Sequence, residues 1–556
     1  MDLDVSSLPQ LVRNAGRLNE IVSVLAKYGL APWLVNVKAD WLQRLLRSDD
    51  GQQIGEQPQA VRVRLALTEL GTTFIKFGQI LSTRVDLVGP ELADELAKLQ
   101  SGTAADEPAI AVATVEAGLG SSVGQLFRDF NENAFASASI GQVHNATLHN
   151  GTRVVVKVRH SGIEEAVRND LEIMVELARA VEVYAPHLRS YQPLATATEF
   201  KKTLENELDF TLEQRNLIRF ARNFADDAGV RIPTAFSDLC SQHVLTMDRL
   251  DGLTLSNREK LVEAGFDLTE VARAGANMFL QMVFRDGFYH ADPHPGNLMV
   301  LDGQVIGVLD CGMVGRVDDE LREQFEDMLL AAIDKDPDRL LDSVIRMGEL
   351  PPDFDRRDLK DDLITFVDDY GEQSLENFDL SGALNEMTAI IRRHQIILPS
   401  RVALLLKMLV MLEGTSKQLS PDFSLAELLE PYRAEAIKKR LSPARLWRKL
   451  QTAQRDWGRL VESLPSDVSD IMNRVRRGSF EVNLEHRRLD SIVNRLVMGV
   501  LTAALFVGSA SLWSNNVKPL IWDTSVPGAL GCTIAVYLGF HLIRAVKKSG
   551  NLRGPS

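Results

Sequence analysis

The 556-residue sequence is poor in cysteine and has no excess of basic residues. Its three cysteines, Cys240, Cys311 and Cys532, are widely spaced and form no CxxC pair, which argues against a disulfide framework or a zinc site. A reducing, cytoplasm-facing body fits this usage. The net charge of −14 argues against a nucleic-acid-binding surface, because phosphate binding needs a basic field. Internal repeats and low-complexity tracts are absent, and the acidic start Met1–Asp4 predicts no secretory signal.

The rest of the composition is that of a globular chain, with 45% apolar and 25% charged residues and enough length for several domains. Apolar residues at three- and four-residue steps predict helices over about residues 9–46, 58–83, 90–100, 111–119, 163–184 and 196–228, with a loop at 101–110. β-Branched runs predict strands over residues 142–148, 152–158, 243–247, 298–300 and 305–309. Beyond Leu268 the pattern is mostly helical, apart from a loop at 287–297. A small sheet-bearing lobe is thus followed by a larger helical lobe.

Two uncharged runs near the C-terminus, Leu496–Trp513 and Val526–Ile543, are each 18 residues long. Each would span roughly 27 Å as a helix, close to the thickness of a bilayer core. The link between them, Ser514–Ser525, is polar and holds Lys518, and Trp513 and Trp522 fall at the expected interface level. Further basic residues flank the pair on the outside, at Arg487, Arg488, Arg495, Arg544, Lys547, Lys548 and Arg553. This pattern predicts a membrane hairpin with both flanks in the cytoplasm. Two buried core helices are the alternative interpretation.

A polar loop and a following strand carry the clearest chemical signal. The segment His290-Ala291-Asp292-Pro293-His294-Pro295-Gly296-Asn297 has the spacing of a kinase catalytic loop, HRDxxxxN, and the predicted strand 305–309 leads into Asp310-Cys311-Gly312, similar to DFG. Phosphoryl transfer needs oxygen ligands for Mg²⁺ and a carboxylate near the nucleophile. Asn297 and Asp310 suit the first task and Asp292 suits the second. A loop of ordinary turn residues is the alternative.

Lys157 lies within the apolar run Val154–Val158, as the lysine of the kinase V-A-I-K element does. An exposed edge-strand lysine is the bland alternative. Upstream, Ala136-Ser137-Ala138-Ser139-Ile140-Gly141-Gln142-Val143 aligns with the glycine-rich GxGxxGxV loop, with alanine in place of the first two glycines. Alanine disfavours positive φ and close backbone approach to phosphate, so this loop should hold a nucleotide differently from an ordinary kinase.

Further motifs stand in an order that identifies a family. They are Lys76-Phe77-Gly78-Gln79, Glu207-Leu208-Asp209-Phe210 with Glu213 after it, and the alanine-rich loop that ends in Ser139–His144. Together with His290–Asn297 and the C-terminal apolar pair, they resemble the UbiB/AarF family of atypical, protein-kinase-like ATPases. The resemblance covers roughly residues 10–430 and the C-terminal pair.

The resemblance implies roles for individual residues. Lys76 and Gln79 look like the KxGQ motif that covers the active site, and Glu207 and Asp209 look like the ExD motif that meets it there. Glu213 looks like the partner of Lys157, and both join Asp292 in the predicted catalytic set. The nucleotide-binding positions would be Ala136, Ser137, Ala138, Ser139, Ile140, Gly141, Lys157, and Met247 and Leu250 at the adenine hinge. The implied cofactors are ATP and Mg²⁺. Departures from the family pattern are Cys311 for phenylalanine, Ser137 for a frequent alanine and Thr73 for a frequent proline.

We therefore expect an α+β, protein-kinase-like bilobal fold with a helical N-terminal extension and a C-terminal transmembrane helical hairpin. The expected divisions are residues 1–110 for the extension with KxGQ, 111–250 for the N-lobe, 251–440 for the helical C-lobe, 441–495 for a basic helical linker and 496–543 for the two membrane helices. The resemblance implies a membrane-anchored ATPase or small-molecule kinase that supports isoprenoid quinone biosynthesis or prenyl-lipid handling. A protein kinase and a non-catalytic nucleotide-sensing scaffold remain alternatives.

Partners and location follow from the same reasoning. We expect a membrane lipid or prenyl-quinone precursor as partner, with lipid-biosynthetic enzymes as possible protein partners and no nucleic acid. Small residues in the first apolar run, at Gly499, Gly508, Ser509 and Ser511, would permit close helix packing and a homodimer. The expected location is the cell membrane, with the catalytic body in the cytoplasm.

Overall fold

A computed structural model of the chain describes residues 15–30, 57–99, 104–184, 192–351, 354–371, 378–429, 431–432, 489–515, 517–521 and 524–548. The chain divides into two compact units, Met1–Ser442 and Pro443–Ser556, each of which is described by itself. The outer parts of the helix predicted over residues 9–46, most of the basic linker predicted over 441–495, Trp522 and several of the basic flanking residues lie outside the described residues.

The first unit begins with helices. They are α1 (Ala15–Lys27), α2 (Gln59–Leu70), α3 (Thr72–Leu81), α4 (Val85–Val88), α5 (Pro90–Ala97), α6 (Pro108–Leu119) and α7 (Val123–Leu126). The smaller lobe then contains β1 (Asp129–Phe130), β2 (Ala136–Ser137), β3 (Gly141–Thr147), β4 (Arg153–Arg159), α8 (Ile163–Tyr184), α9 (Pro193–Glu207), α10 (Phe210–Asn223), β5 (Val230–Arg231) and β6 (Val244–Asp248).

The larger lobe continues from there to the end of the unit. It contains β7 (Leu253–Thr254), α11 (Arg258–Glu263), α12 (Leu268–Leu280), β8 (Phe288–His290), β9 (Leu298–Leu301), β10 (Val305–Val308), β11 (Val314–Arg316), α13 (Asp319–Ile333), α14 (Pro337–Met347), α15 (Arg356–Gly371), α16 (Leu380–Arg393) and α17 (Ser400–Leu419). The mixed small lobe and the helical large lobe together are a kinase-like arrangement, as the sequence predicts.

The sheet of the smaller lobe fixes where Lys157 points. Its strands run β1-β3-β4-β6 with β2 paired to β3, and all pairings are antiparallel. Burial alternates along β4, so that Val154, Val156 and Val158 pack into a core beside α6 and α7. Because successive side chains of a strand point to opposite faces, Lys157 lies on the other face, between Val143 and Leu245 on the neighbouring strands.

Short strands of the larger lobe hold the predicted catalytic loop. Strands β9 and β10 form an antiparallel pair within a four-stranded sheet, and β8 pairs with β11. Consequently Asp292 follows the end of β8, Asn297 precedes β9, and Asp310 follows β10. The prediction of an uninterrupted loop over 287–297 is wrong, since β8 occupies its first part. Three residues are too few to give a readable alternation.

Two long predicted helices are each broken into two. The first breaks at Gly71, whose φ of +91° separates α2 from α3 in a conformation that favours glycine. The second breaks after Glu207, where the side chain of Asp209 accepts a hydrogen bond from Thr211 N and starts α10. The loop predicted over 101–110 is also too long, because α6 begins at Pro108.

The second unit is built on two helices, α18 (Leu489–Ser514) and α19 (Val526–Lys548), linked through the short strands β12 (Leu520–Ile521) and β13 (Thr524–Ser525). The helices pack antiparallel, with Gly499 beside Leu542 and Gly539 beside Thr502. Val497–Ser514 is long and apolar enough to cross a membrane and is only 6% buried, whereas the apolar part of α19, Val526–Leu542, is shorter.

Candidate active site

Three charged side chains from separate elements meet in the first unit. Lys157 Nζ on β4 lies 2.8 Å from Glu213 Oε2 on α10 and 3.3 Å from Asp310 Oδ2 after β10. The side chains of Lys157 and Glu213 are 18% and 6% exposed, while that of Asp310 is 42% exposed. The family resemblance implies the pair of Lys157 with Glu213, and the structure adds the contact of Lys157 with Asp310, 153 residues further along the chain. Asp310 is thus the member of the trio that faces open space.

Burial and neighbouring charges together set the protonation of Lys157 and Asp310. Burial opposes the charge of Lys157, but Asp310 and Glu213 outweigh it and raise the pKa of Lys157. Desolvation by the surrounding protein opposes ionisation of the partly exposed Asp310, yet Lys157 and the amide of Gly312, which donates to Asp310 Oδ1 at 2.7 Å, hold the pKa of Asp310 well below its usual range. Burial raises the pKa of Glu213. At neutral pH the site therefore presents an ammonium beside an ionised Asp310.

The catalytic loop brings its two predicted residues together. Asn297 Nδ2 donates to Asp292 Oδ2 at 2.9 Å and lies 3.3 Å from the carbonyl oxygen of Asp292. His290 Nε2 contacts the carbonyl oxygen of Asp310, and its Nδ1 accepts from Asp292 N at 3.0 Å. His290 therefore ties the Asp292 loop to the Asp310 turn.

Cys311 occupies a packed position in this turn. Its side chain is fully buried, and its carbonyl oxygen accepts a hydrogen bond of 2.9 Å from Asn216 Nδ2 on α10. Burial and the neighbouring carboxylates raise the pKa of the thiol well above its usual value. A protonated, enclosed thiol is a poor nucleophile, so Cys311 serves here as a packing residue.

The predicted nucleotide loop connects β2 to β3. Ala136 and Ser137 form β2, and Gly141 begins β3 where it crosses β4 closely. A Cβ on Gly141 would lie 2.6 Å from the carbonyl oxygen of Val158, so the close approach of the β3 and β4 backbones requires glycine at this position.

The other predicted nucleotide-binding positions are divided between this loop and the end of β6. Ser139 and Ile140 are buried within the loop, Met247 is buried on β6, and Leu250 follows β6. The ring of Phe210 lies 5.2 Å from Lys157 Nζ, a cation–π contact that sequence reasoning missed.

The KxGQ-like and ExD-like motifs meet through one ion pair. Lys76 Nζ on α3 lies 2.9 Å from Glu207 Oε2 at the end of α9. Burial opposes the charge of Lys76, but Glu207 outweighs it and raises the pKa of Lys76, with Asp310 also contributing. Gln79 instead donates to the carbonyl oxygen of Leu99 at 2.9 Å, and Asp209 caps α10. Lys76 and Glu207 are thus brought together beside the trio, while Gln79 and Asp209 hold the flanking backbone.

A charge reversal tests how strongly this pair attaches α3. We expect Lys76→Glu to lower the free energy of unfolding by about 2–3 kcal/mol, because it puts a second carboxylate against the half-buried Glu207. The double variant Lys76→Glu/Glu207→Lys should recover most of the loss. Denaturant unfolding measures both. Lys201→Glu is the matched control on α9, where the exposed pair with Glu205 spans 3.9 Å and is worth about 0.5 kcal/mol. Equal losses in the two single variants would contradict the role of the pair.

Sequence reasoning also missed Lys407, on α17. Burial lowers the pKa of Lys407, and the carboxylate of Asp292 opposes that shift, so the ammonium lies within electrostatic reach of the catalytic loop. Thr415 on the same helix contacts the carbonyl oxygen of Pro293 at 3.3 Å. A signal was present, because Lys407 interrupts the apolar run Leu404–Val410 just as Lys157 interrupts its own.

The oxygen donors fit a magnesium ion shared with phosphates. Asp310 and Asn297 supply a carboxylate and an amide oxygen, the ligands that Mg²⁺ prefers. Within the described residues no group of three His, Cys, Asp or Glu side chains forms an all-protein metal cage. Mg²⁺ usually takes one or two carboxylates and completes its shell with water and substrate phosphates, so this sparse donor set is suitable.

Known domain families match three stretches of the chain. The ABC1 atypical kinase-like domain matches residues 98–344, the UbiB helical domain matches 363–424, and the ABC1/UbiB kinase-like C-terminal domain matches 483–548. The "Probable protein kinase UbiB" of Shewanella loihica is 30% identical over 527 residues, covering 91% of this chain and 95% of that one. Its counterpart in Aeromonas salmonicida is 32% identical, covering 83% and 86%.

One solved structure is also similar. The Rv3197–erythromycin complex from Mycobacterium tuberculosis is 22% identical, covers 66% of this chain and 93% of that one, and has a TM-score of 0.46. The family assignment stands on the three domain matches and the near full-length relatives. The chain belongs to the ABC1/UbiB family of atypical, kinase-like proteins.

Proposed function

We propose that the chain is a membrane-anchored, Mg-ATP-dependent enzyme, an ATPase or small-molecule phosphotransferase that serves prenyl-lipid chemistry. The observation that carries the proposal is the contact of Lys157 with both Glu213 and Asp310, at 2.8 and 3.3 Å. An ammonium held beside an ionised, partly exposed aspartate suits the phosphates of a nucleotide and their metal ion. A solvated surface lysine would need no buried glutamate behind it.

The residues divide the chemistry between them. Lys157, held by Glu213, would contact the α- and β-phosphates, and Asp310 and Asn297 would hold Mg²⁺, which supplies charge neutralisation on the phosphates. Asp292 would orient water or an acceptor hydroxyl and receive its proton. The hydrogen bond from Asn297 Nδ2 to Asp292 Oδ2 aims this carboxylate and leaves the amide oxygen of Asn297 for the metal.

A protein substrate is the less favoured alternative. After Gly312 the chain enters β11 at Val314 and reaches the N-cap of α13 at Asp318, so little chain is available for a peptide-docking activation segment. The predicted cover residues Lys76 and Glu207 lie near the trio, since the charge of Asp310 helps to raise the pKa of Lys76. A small acceptor, or water, fits these surroundings better than a polypeptide.

The second unit supports the membrane part of the proposal. Large apolar side chains remain exposed on both helices, including Leu501, Val507 and Phe540. A bilayer would bury these side chains and so remove the free-energy cost of exposing apolar surface to water. Relatives in the UbiB/AarF family support the biosynthesis of ubiquinone or related quinones, and a prenylated precursor is the substrate class that we propose here.

Lipid dependence of turnover tests the coupling. We expect ATP hydrolysis by the full-length chain to rise several-fold in vesicles that contain anionic lipid and a prenylated phenol, compared with neutral vesicles, because the acceptor or its mimic would reach the site from the bilayer. Phosphate release at saturating Mg-ATP measures this. Identical rates in the two kinds of vesicle would contradict lipid coupling while leaving the ATP site itself standing.

A further inference from the structure

We propose that Arg219, Arg222 and Arg316, here called the arginine cluster, form a binding site for a terminal phosphate group, carried by free inorganic phosphate or by a lipid headgroup. Arg219 and Arg222 lie on α10, and Arg316 is the last residue of β11. The site goes beyond the proposed function, because it contains none of the residues assigned to Mg-ATP and does not depend on them.

The ring of Phe288 brings two arginines of the cluster together. Arg219 Cζ lies 4.1 Å from the centroid of this ring, and Arg316 Cζ lies 6.0 Å from it. Arg316 is directly opposite Phe288 in the antiparallel pairing of β11 with β8, so the two side chains lie on the same face. Arg222 is three residues after Arg219 and is its neighbour on the surface of α10. The cluster is therefore compact although its members come from two elements.

The three positive charges have no neutralising partner nearby. Among the residues that the structure describes, no carboxylate lies within 4 Å of any of the three guanidinium groups. Desolvation and the like charges of Arg316 and Arg222 lower the pKa of Arg219. The carboxylate of Asp286 opposes this shift, but Arg285 already binds it at 2.7 and 2.9 Å. An external anion would relieve the repulsion within the cluster.

A shortage of carboxylates does not explain the cluster. The chain has 76 acidic residues against 62 lysines and arginines, and most of the described arginines in the first unit have a carboxylate within 4 Å. Arg401, for example, pairs with Asp318, which is only two residues after Arg316. Like charges that neighbour each other on a helix destabilise it, so an arrangement that keeps them together without a countercharge indicates a ligand.

The chemistry of the cluster fits a terminal phosphate. A guanidinium group stacks on an aromatic ring and still presents its N–H donors to phosphate oxygens, often in pairs. A terminal phosphate offers three such oxygens and close to two negative charges, whereas a carboxylate offers two oxygens and one charge. Arg222 and Arg316 are exposed, so the site is open to solvent. Ile218, 49% exposed on the same side of α10, would contact the apolar part of a lipid.

The position of the cluster gives the ligand a structural effect. α10 also carries Glu213, and β11 pairs with the strand that carries His290. A phosphate bound by both Arg219 and Arg316 would therefore join two elements that support the candidate active site. We expect amide exchange over residues 215–222 to slow when the phosphate binds.

Protection of arginines from phenylglyoxal, mapped by mass spectrometry, tests the site on the full-length chain. The chain is held in phosphatidylcholine nanodiscs at fixed ionic strength and titrated with inorganic phosphate. We expect modification of the cluster to slow at least about fivefold at saturation, because a guanidinium group bound to phosphate oxygens reacts only after release. Arg357 on α15, which is exposed and also has no described carboxylate within 4 Å, is the matched control and should react at a constant rate.

A second arm identifies the source of the phosphate. Nanodiscs with added phosphatidic acid present a terminal phosphate, whereas those with added phosphatidylglycerol present a phosphodiester and a similar negative charge. Slowing by inorganic phosphate supports a free ligand, and slowing by phosphatidic acid alone supports a lipid headgroup. Equal slowing by both lipids without any effect of inorganic phosphate, or no slowing under any condition, would overturn the site.

The variant Arg316→Gln tests whether the arginines act together. Arg316 is exposed at the end of β11, so the variant should fold. We expect the phosphate that slows modification of Arg219 to bind about tenfold more weakly, since one charge-assisted contact is lost. Arg357→Gln should leave the titration unchanged. Equal titrations in Arg316→Gln and wild type would overturn the cluster, and because no readout uses Mg-ATP, that result would leave the proposed function standing.

Discussion

Replacing Asp310 with asparagine is expected to lower ATP turnover at least about a hundredfold, the effect of losing one preorganised charge at a reacting centre. The substitution leaves the rest of the trio in contact, since Lys157 keeps Glu213 at 2.8 Å. The variant should therefore fold, and binding of Mg-ATP, measured by calorimetry on the full-length chain, should be lost or strongly weakened. The largest loss should be in the part of the ATP affinity that depends on Mg²⁺.

A neighbouring aspartate provides the control. Asp302 lies in the turn between β9 and β10 and is exposed, so Asp302→Asn changes the same charge without touching the trio. It should bind Mg-ATP as the wild type does. Because Lys157 and the Gly312 amide depress the pKa of Asp310, its carboxylate stays ionised in mild acid, and lowering the pH to 5 should not reproduce the effect of Asp310→Asn. Intact turnover in Asp310→Asn would contradict the assignment of the site.

Two arginines in the first C-terminal helix are expected to remove the chain from membranes. Leu501 and Leu505 lie one turn apart on α18 and are 60% and 39% exposed. An arginine near the centre of a membrane helix costs about 2.5–3.5 kcal/mol on insertion scales, so Leu501→Arg/Leu505→Arg opposes insertion strongly. Membrane fractionation with alkaline carbonate should recover the wild type in the pellet and the double variant in the supernatant.

The control for this experiment matches the exposure of Leu505. Leu350, in the first unit, is also 39% exposed, and Leu350→Arg should leave the chain in the membrane pellet. If the wild type itself were extracted into the supernatant, α18 and α19 would be ordinary packed helices and the membrane part of the proposal would be wrong.

The residues of the candidate site could be predicted because motif spacing and strand patterns mark them in the sequence. Asp292 and Asn297 are five residues apart, Asp310 ends an apolar strand, and Lys157 interrupts one. Alternation along β4 then places Lys157 on the face away from the buried valines. The meeting of Lys76 with Glu207 followed from family order rather than from any local pattern, since each residue alone reads as a surface charge.

The remaining features of the fold and the site produce no periodic pattern in the sequence. The contact of His160 with Asp106 joins residues 54 positions apart through two atoms, and no pattern marks such a pair. The breaks at Gly71 and Asp209 lie inside patterns that keep their apolar spacing on both sides. Apolar periodicity therefore predicts one continuous helix across each break. Strands of two or three residues, such as β8, are likewise too short to alternate and are defined by their partners.

Following ADP, free phosphate and labelled product together tests the central claim most directly. The full-length chain in vesicles with a prenylated phenol is given Mg-ATP labelled at the γ-phosphate, with and without a mixture of protein substrates. The proposed function predicts ADP formation with the label in free phosphate or in the lipid fraction, and no label in protein. Absence of ADP formation, or label transferred to the protein substrates, would contradict it.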